Sequence, residues 1–244
     1  MKNFSIILST VAIILAAVAI YSTNKFSKSA AEGAISEEQL AAVLTKNPKI
    51  MAEALAAFDT YQREEAERIL NEKMAAATPK INDETGLPFV GPKDAKVTVV
   101  EFFDFTCGYC KRLSSAMEKI VADNPDVKVV FKPLSFVAQV SSYQAKAGIA
   151  AHKQGKFMEF YKEVMDFKSR MTEADVDDIA AKIGLNIDQY KADMNSSETA
   201  AVLSGVASLA QEIEVSGVPT VLVNAKRVQA MSSEPIQEAI NAAK

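Results

Sequence analysis

The order of apolar and polar positions along the chain predicts strands in some segments and amphipathic helices in others. Residues 97–105 (VTVVEFFDF) are an almost continuous apolar run, which predicts a central strand buried on both faces. Residues 107–123 carry apolar side chains at the spacing of one helix face, and residues 127–134 predict the next strand. This strand–helix–strand order is typical of a βαβ unit with a parallel sheet.

Helical spacing replaces the strand pattern after this unit and continues until residue 213. Within it, Thr172 has the position of an N-cap, and Gly184 stops the apolar stripe that follows. Strand pattern returns at residues 219–224 and 227–230, which predicts a hairpin, and a closing helix follows. The fold class is therefore α/β, with a helical insertion at about residues 138–213.

A further helical pattern precedes the α/β domain. Ser36-Glu37-Glu38-Gln39 has the form of a capping box, and Asn47-Pro48 restarts a helix that we expect to continue to about Ala77. The apolar stripe of this segment has no evident core of its own to cover. Two interpretations remain open: an oligomerisation stalk, which we favour, and a helix packed on the chain's own α/β domain.

The first residues predict export. An uncharged apolar run from Phe4 to Tyr21 follows Lys2, which is typical of a signal peptide or, if it is not cleaved, of a signal anchor in the inner membrane. We therefore expect a periplasmic protein. The predicted organisation is a signal or anchor at 1–22, a tether at 23–35, a helical stalk at 36–77, a linker at 78–92 and an α/β domain at 93–244.

Composition and charge exclude several function classes. The chain of 244 residues carries 27 basic and 31 acidic side chains, a net charge of −4, and has no basic stripe, so nucleic acid is not an expected partner. A single histidine, His152, makes a Ser-His-Asp triad or a His-rich metal site improbable, and we interpret it as a solvated residue at a helix end.

Both cysteines of the chain stand in one motif, Cys107-Gly108-Tyr109-Cys110, between the buried strand and the amphipathic helix. A thiolate at the start of a helix is stabilised by unpaired N–H groups and by the positive end of the helix dipole. We expect Cys107 to be the exposed nucleophile and Cys110 to resolve the mixed disulfide that it forms. A zinc site would need four ligands, so we expect no metal here.

Glu101 stands in the middle of the predicted buried strand, where a carboxylate is costly. Burial should raise its pKa, and the strand would place it beneath the helix that begins at Cys107. We favour a role in passing a proton to or from Cys110, and the alternative is a strand-end residue that reaches solvent. Asp104 is nearer the strand end, and we expect it to cap a turn or line the rim.

The segment from Pro92 to Lys244 resembles the DsbA-like branch of the thioredoxin superfamily. The resemblance rests on VEFFDFTCGYCK at residues 100–111, on the helical insertion, and on Gly217-Val218-Pro219-Thr220 before the late hairpin. It implies a thioredoxin fold and a redox-active Cys107–Cys110 disulfide, with no other cofactor. It also implies a cis peptide bond before Pro219, and substrate binding by strand addition at Val218, Pro219 and Thr220. Glu101 lies where such proteins hold a buried acid.

The N-terminal helical segment resembles the oligomerisation stalks of ScsC-like (suppressor of copper sensitivity) proteins. This implies a homo-oligomer through residues 36–77 that acts on unfolded or misoxidised exported proteins and has a redox partner in the membrane. The dipeptide Gly108-Tyr109 lacks the histidine of strong oxidases and favours a disulfide isomerase, our first preference, whereas Val218 is more like the oxidases. An oxidase that donates disulfides is the alternative. An envelope copper-binding or scaffold protein without enzymatic activity is an alternative of another class.

Overall fold

The computed structural model describes residues 36–244, so the predicted signal, anchor and tether at 1–35 lie outside the described residues. Contacts divide the chain into two compact units, one ending at Arg63 and the other spanning Glu64–Lys244. In chain order the elements are α1 (Glu37–Lys46), α2 (Pro48–Asn82), β1 (Phe89–Val90), β2 (Thr98–Phe103), α3 (Gly108–Asp123), β3 (Lys128–Pro133), α4 (Ser141–Lys153), α5 (Phe157–Asp166), α6 (Glu173–Lys182), α7 (Ile187–Met194), α8 (Ser197–Glu212), β4 (Thr220–Val223), β5 (Lys226–Val228) and α9 (Ser233–Ala243).

The second unit is built on a five-stranded sheet in the order β1-β3-β2-β4-β5. The predicted βαβ unit is confirmed, because α3 connects β2 to a parallel β3 in which Val129 lies opposite Val99. β4 pairs with the other side of β2 in the antiparallel sense, and β4 and β5 form the predicted hairpin. Every residue of β2 is buried, as expected of a central strand covered on both faces.

The helical insertion consists of the five helices α4 to α8, which lie between β3 and β4 in the chain. Thr172 forms a capping box with Asp175 at the start of α6, and Gly184 adopts φ +76° just after that helix, so both predicted helix boundaries are confirmed. The sequence pattern did not separate α7, a helix of eight residues that begins after Asn186 as N-cap. Within the insertion, α5 packs against α3, the helix that begins at the CxxC motif.

The first unit, as far as it is described, holds α1 and the first part of α2. The capping box of Ser36 and Gln39 is present, which confirms the predicted start of α1. Between residues 36 and 63, large apolar side chains are exposed, namely Leu40, Val43, Ile50, Met51, Leu55, Phe58 and Tyr61. Within residues 36–244 no helix has the length and apolar character needed to cross a membrane.

The predicted helix end at about Ala77 is wrong, because α2 continues through Pro79 to Asn82. Proline within a helix costs about 3 kcal/mol, and here burial of Met74, Ala77 and Ile81 in a core cluster of the second unit offsets that cost. The end of α2 therefore packs on the chain's own α/β unit. For this part of the helix the stripe serves packing on the α/β domain, the interpretation that we did not favour. Further along the predicted linker, Phe89 and Val90 form β1.

His152 also differs from its interpretation as a solvated residue. It lies in the last turn of α4, half-buried, with its ring edge-on to Phe89 at a centroid distance of 5.8 Å. Burial lowers the pKa of its imidazole. The residue therefore serves packing between α4 and the strand β1, which the sequence pattern did not predict.

Candidate active site

The CxxC motif lies where β2 turns into α3. Cys107 is the N-cap residue of α3, and its backbone N–H donates to the carbonyl of Asp104 at 3.0 Å. Cys110 lies in the first turn of the same helix and is fully buried, whereas Cys107 retains 8% exposure. Both are free thiols. The expected exposed nucleophile is thus only slightly accessible, but it is the more accessible of the two sulfurs and the one at the helix start.

The loop before β4 lies against the Cys107 thiol. The peptide bond between Val218 and Pro219 is cis, as the resemblance implies, and Cys107 Sγ donates to the Val218 carbonyl oxygen at 3.4 Å. Thr220, the first residue of β4, donates its hydroxyl to the Gly217 carbonyl at 2.8 Å and pairs with Phe102 of β2. The structure therefore brings the Val218 carbonyl to Cys107, more than a hundred residues earlier in the chain, and Pro219 and Thr220 follow directly on this contact.

Glu101 is fully buried in the middle of β2, so it is not a strand-end residue that reaches solvent. Its cross-strand neighbours are Phe131 on β3 and Val221 on β4, both apolar. Burial raises the pKa of the carboxyl to about 8, against the smaller opposite effect of a hydrogen bond from Tyr161. The Tyr161 hydroxyl donates to Glu101 Oε2 at 3.1 Å, and Oε1 has no hydrogen-bond partner within residues 36–244.

Cys110 shares this buried region with Glu101 and Tyr161. Burial raises the pKa of the Cys110 thiol, and the nearby charges of Glu101 and Cys107 raise it further. The pKa of Tyr161 is also raised, first by burial and then by Glu101. At neutral pH all three groups therefore favour their protonated forms, so a Cys110 thiolate that is released during exchange needs a nearby proton donor, and a Cys110 thiol that is to attack needs a nearby proton acceptor.

Asp104 is fully buried rather than at the rim, and it holds two segments of backbone around the motif. Its Oδ1 accepts from the backbone N–H and hydroxyl of Thr106 at 2.9 and 2.7 Å and from the Ser141 hydroxyl at 2.9 Å. Its Oδ2 accepts from the backbone N–H groups of Phe136 and Val137 at 3.2 and 3.1 Å. One carboxylate thus fixes the turn before Cys107 to the loop after β3.

The surface around the motif carries exposed apolar and aromatic side chains. Tyr109 is 56% exposed, with the Arg112 guanidinium 4.1 Å from its ring centre. Phe136 and Val137, which Asp104 holds in place, are also exposed. A cavity of about 540 Å³ lies beside them, lined among others by Lys111, whose ammonium group donates to the Phe167 carbonyl at 2.7 Å. The motif is thus bordered by an exposed apolar and aromatic surface.

Two contributors to this site were missed by sequence reasoning. Tyr161 falls on the apolar stripe of α5, and its hydroxyl within an otherwise apolar buried face was the available signal. Ser141 carried no signal, because only the folded loop brings it to Asp104. No cluster of three or more potential metal ligands (His, Cys, Asp or Glu) occurs in the described part of the chain.

Comparisons with known proteins relate the chain to thiol–disulfide proteins. Residues 82–242 match a family model described as thioredoxin. The probable disulfide bond formation protein D of Bacillus cereus is 30% identical over 148 residues, which are 55% of this chain and 68% of that protein. The Na(+)/H(+) antiporter NhaA 3 of Salinispora tropica is 32% identical over 145 residues, 56% of this chain. The chain spans only 21% of that antiporter's length.

Solved structures show the same fold. A thioredoxin-like oxidoreductase from Silicibacter pomeroyi DSS-3 is 30% identical with a TM-score of 0.62, over 67% of this chain and 95% of that one. The catalytic domain of Proteus mirabilis ScsC is 23% identical with a TM-score of 0.63, over 71% of this chain and 97% of that one. The predicted thioredoxin fold with a helical insertion is confirmed.

Proposed function

The chain belongs to the thioredoxin family, in its DsbA/ScsC-like branch of thiol:disulfide oxidoreductases, and from that premise we propose that it acts on exported proteins as a disulfide isomerase. The observation that carries the proposal is the position of Cys107. Its sulfur lies at the N-terminus of α3, 3.4 Å from the Val218 carbonyl oxygen, next to a buried second thiol. This arrangement presents the Cys107 thiolate to a substrate and leaves the buried Cys110 thiol to resolve the mixed disulfide.

The chemistry begins with attack of the Cys107 thiolate on a wrong disulfide of the substrate. A bond forms between Cys107 Sγ and one substrate sulfur, the substrate S–S bond breaks, and its electron pair leaves on the second substrate sulfur. A different substrate thiolate then attacks the mixed disulfide, which forms a new substrate disulfide and regenerates Cys107. When no such thiol arrives, Cys110 attacks instead, forms the Cys107–Cys110 disulfide and releases the substrate reduced.

The backbone around Pro219 supplies the binding site in this proposal. Val218 precedes β4, and an extended substrate segment can add to this end of the sheet by backbone hydrogen bonds, which do not depend on sequence. In this structure the Val218 carbonyl accepts from the Cys107 thiol. The exposed Tyr109, Phe136 and Val137 add apolar contacts around the reacting sulfur. Broad specificity for unfolded proteins follows from this combination.

The exposed apolar side chains of α1 and α2 support isomerisation over oxidation. We propose that a second copy of this chain covers them, since seven large apolar side chains exposed within residues 36–63 are more than a monomer commonly leaves in water. An oligomer holds several Cys107 thiols near one substrate. Leu55→Glu and Phe58→Glu in the full chain should lower the mass in sedimentation and slow the reactivation of a scrambled disulfide protein. Gln62→Glu, a charge at an already polar position of α2, is the control; an unchanged mass in the two apolar variants contradicts this part of the proposal.

Covalent trapping tests the function class. Replacing Cys110 by alanine removes the resolving thiol, so mixed disulfides between Cys107 and substrate proteins should accumulate and be released by reductant. The matched control is the Cys107→Ala, Cys110→Ala double variant, which should trap nothing. If the single variant also traps nothing, thiol exchange is refuted and the dithiol is better explained as a soft-metal site for copper(I).

The oxidase alternative is favoured by one residue, Val218 before the cis-proline. The redox state of Cys107 and Cys110 in cells separates the two activities, by acid quenching followed by alkylation of free thiols. A largely reduced pair is expected of an isomerase that a membrane reductant supplies with electrons. A largely oxidised pair would contradict the isomerase proposal and support a disulfide oxidase instead. The export on which both depend is supported by the apolar run from Phe4 to Tyr21.

A further inference from the structure

The surroundings of Glu101 single out one side chain from outside the sheet. On either side of Glu101 the neighbouring strands present Phe131 and Val221, so the sheet offers the carboxyl no charged or polar partner. Within the described residues its hydrogen bond comes from Tyr161 of α5, at 3.1 Å to Oε2. The helical insertion therefore reaches into the α/β core at the buried carboxyl of Glu101.

The ring of Tyr161 is held firmly enough to set the position of its hydroxyl. It is fully buried, and its centroid lies 5.5 Å from that of Phe103 and 5.1 Å from that of Phe131. Phe105 and Phe157 close the same aromatic cluster at 6.1 and 5.7 Å. A hydroxyl on a ring packed in this way has little freedom other than rotation about its C–O bond.

We propose that Tyr161 is a positioning residue for thiol exchange, fixing the Glu101 carboxyl by one oxygen so that the other oxygen carries the proton exchanged with Cys110. The proposal rests on the oxidoreductase function proposed above. Glu101 Oε2 is engaged by Tyr161, and the buried Oε1 has no partner within residues 36–244. In this proposal Oε2 is fixed by a hydrogen bond, and Oε1 is available for proton exchange.

The proton balance follows the two directions of exchange. When a substrate thiolate attacks Cys107 of the disulfide form, the Cys107–Cys110 bond breaks and its electron pair stays on Cys110 Sγ, which takes the proton from Glu101 Oε1. The carboxylate that remains is stabilised by the Tyr161 hydroxyl. In the resolving direction the Cys110 thiol gives its proton to Glu101, and the thiolate then attacks the mixed disulfide.

Few other charged groups act on this pair. On α3, the Cys110 thiol interacts electrostatically with Glu101 and Tyr161, and the charge of Glu118 also acts on Tyr161. The strands β3 and β4 present Phe131 and Val221. The hydrogen bond from Tyr161 lowers the pKa of Glu101 against the larger effect of burial. Removing it should therefore move the titration of Glu101 to higher pH.

The experiment is a carboxyl NMR titration of the full chain, reduced and labelled with ¹³C in its glutamate carboxyls. The Glu101 resonance is assigned by its loss in Glu101→Gln. We expect a midpoint of about 8 in the wild type and a rise of about one pH unit in Tyr161→Phe, which keeps the ring and removes only the hydroxyl. The matched control is Tyr190→Phe, which removes another fully buried tyrosine hydroxyl whose partner is Asp177. It should leave the midpoint unchanged.

The same variants are then compared in the pH profile for reduction of the Cys107–Cys110 disulfide by a small dithiol. Tyr161→Phe should move the Glu101-dependent inflection upward by the same amount, and adding it to Glu101→Gln should change nothing further. An unchanged or lowered midpoint in Tyr161→Phe, or an equal shift in Tyr190→Phe, overturns the role of Tyr161. If the Cys110→Ala variant traps no substrate through Cys107, the proposed function is overturned instead, so the two failures are distinguishable.

Discussion

Replacing Glu101 by glutamine should make the protein more stable, and increasingly so as the pH rises. In the folded protein burial raises the pKa of this carboxyl to about 8 from an ordinary value of 4.5. Between these two values the folded state holds a proton that the unfolded state has released, so the wild type loses stability as the pH rises through this window. Glutamine keeps the size and one acceptor oxygen for Tyr161 but does not ionise.

The size of the effect follows from the separation of the two pKa values, about 3.5, at about 1.36 kcal/mol per pH unit. The upper limit is therefore about 5 kcal/mol across the window, and about 3 kcal/mol is reached by pH 7. Urea unfolding of the reduced wild type and of Glu101→Gln, between about pH 5 and pH 8, measures it. Because both proteins share every other titrating group, the difference between their unfolding free energies isolates Glu101. A difference that stays constant with pH would refute the reasoning.

Three further predictions concern neighbouring contacts. Asp104→Ala should lower the unfolding free energy by about 3 kcal/mol in urea titrations, since five donors lose a buried acceptor; a loss below about 1 kcal/mol contradicts this. Lys132→Met removes an ammonium group whose pKa burial lowers to about 8 from 10.5, so the wild type should gain stability relative to the variant as the pH rises from 8 to 10.5. If the unfolding free energies of the wild type and Lys132→Met change with pH in parallel, this prediction is wrong. Thr172→Ala should cost about 1 kcal/mol through loss of the capping box, with unchanged thiol exchange.

The elements around the thiols could be predicted because their sequence signals are local. The apolar run of β2, the amphipathic spacing of α3 and the two cysteines between them specify a strand, a turn and a helix in one short segment. The position of the Val218-Pro219 loop against the motif was expected from the family resemblance alone, because no local pattern connects residues so far apart in the chain. The mechanism needs the sulfurs at a helix start, and that placement follows from the segment's own sequence.

The features that the sequence did not reveal depend on contacts between distant segments. α2 passes through Pro79 because Met74 and Ile81 find a core to bury in, and Lys132 donates to the Asp83 carbonyl at 2.9 Å just beyond the helix end. Tyr161 looks like any aromatic residue of a helix stripe until the fold brings its hydroxyl to Glu101. Tertiary packing decided each of these. A hydroxyl on the apolar face of α5 indicates that Tyr161 needs a polar partner, but no local pattern identifies that partner as Glu101.

The central claim, thiol–disulfide exchange through Cys107 and Cys110, is tested most directly by disulfide transfer from the purified protein to an unfolded substrate dithiol. The full chain is oxidised, mixed with the reduced substrate, quenched in acid, and both partners are alkylated and weighed by mass spectrometry. The account predicts that the chain gains two thiols, at Cys107 and Cys110, for each disulfide that the substrate gains, with no transfer from the Cys107→Ala variant. Absence of transfer from the wild type, or equal substrate oxidation with the variant, would contradict it.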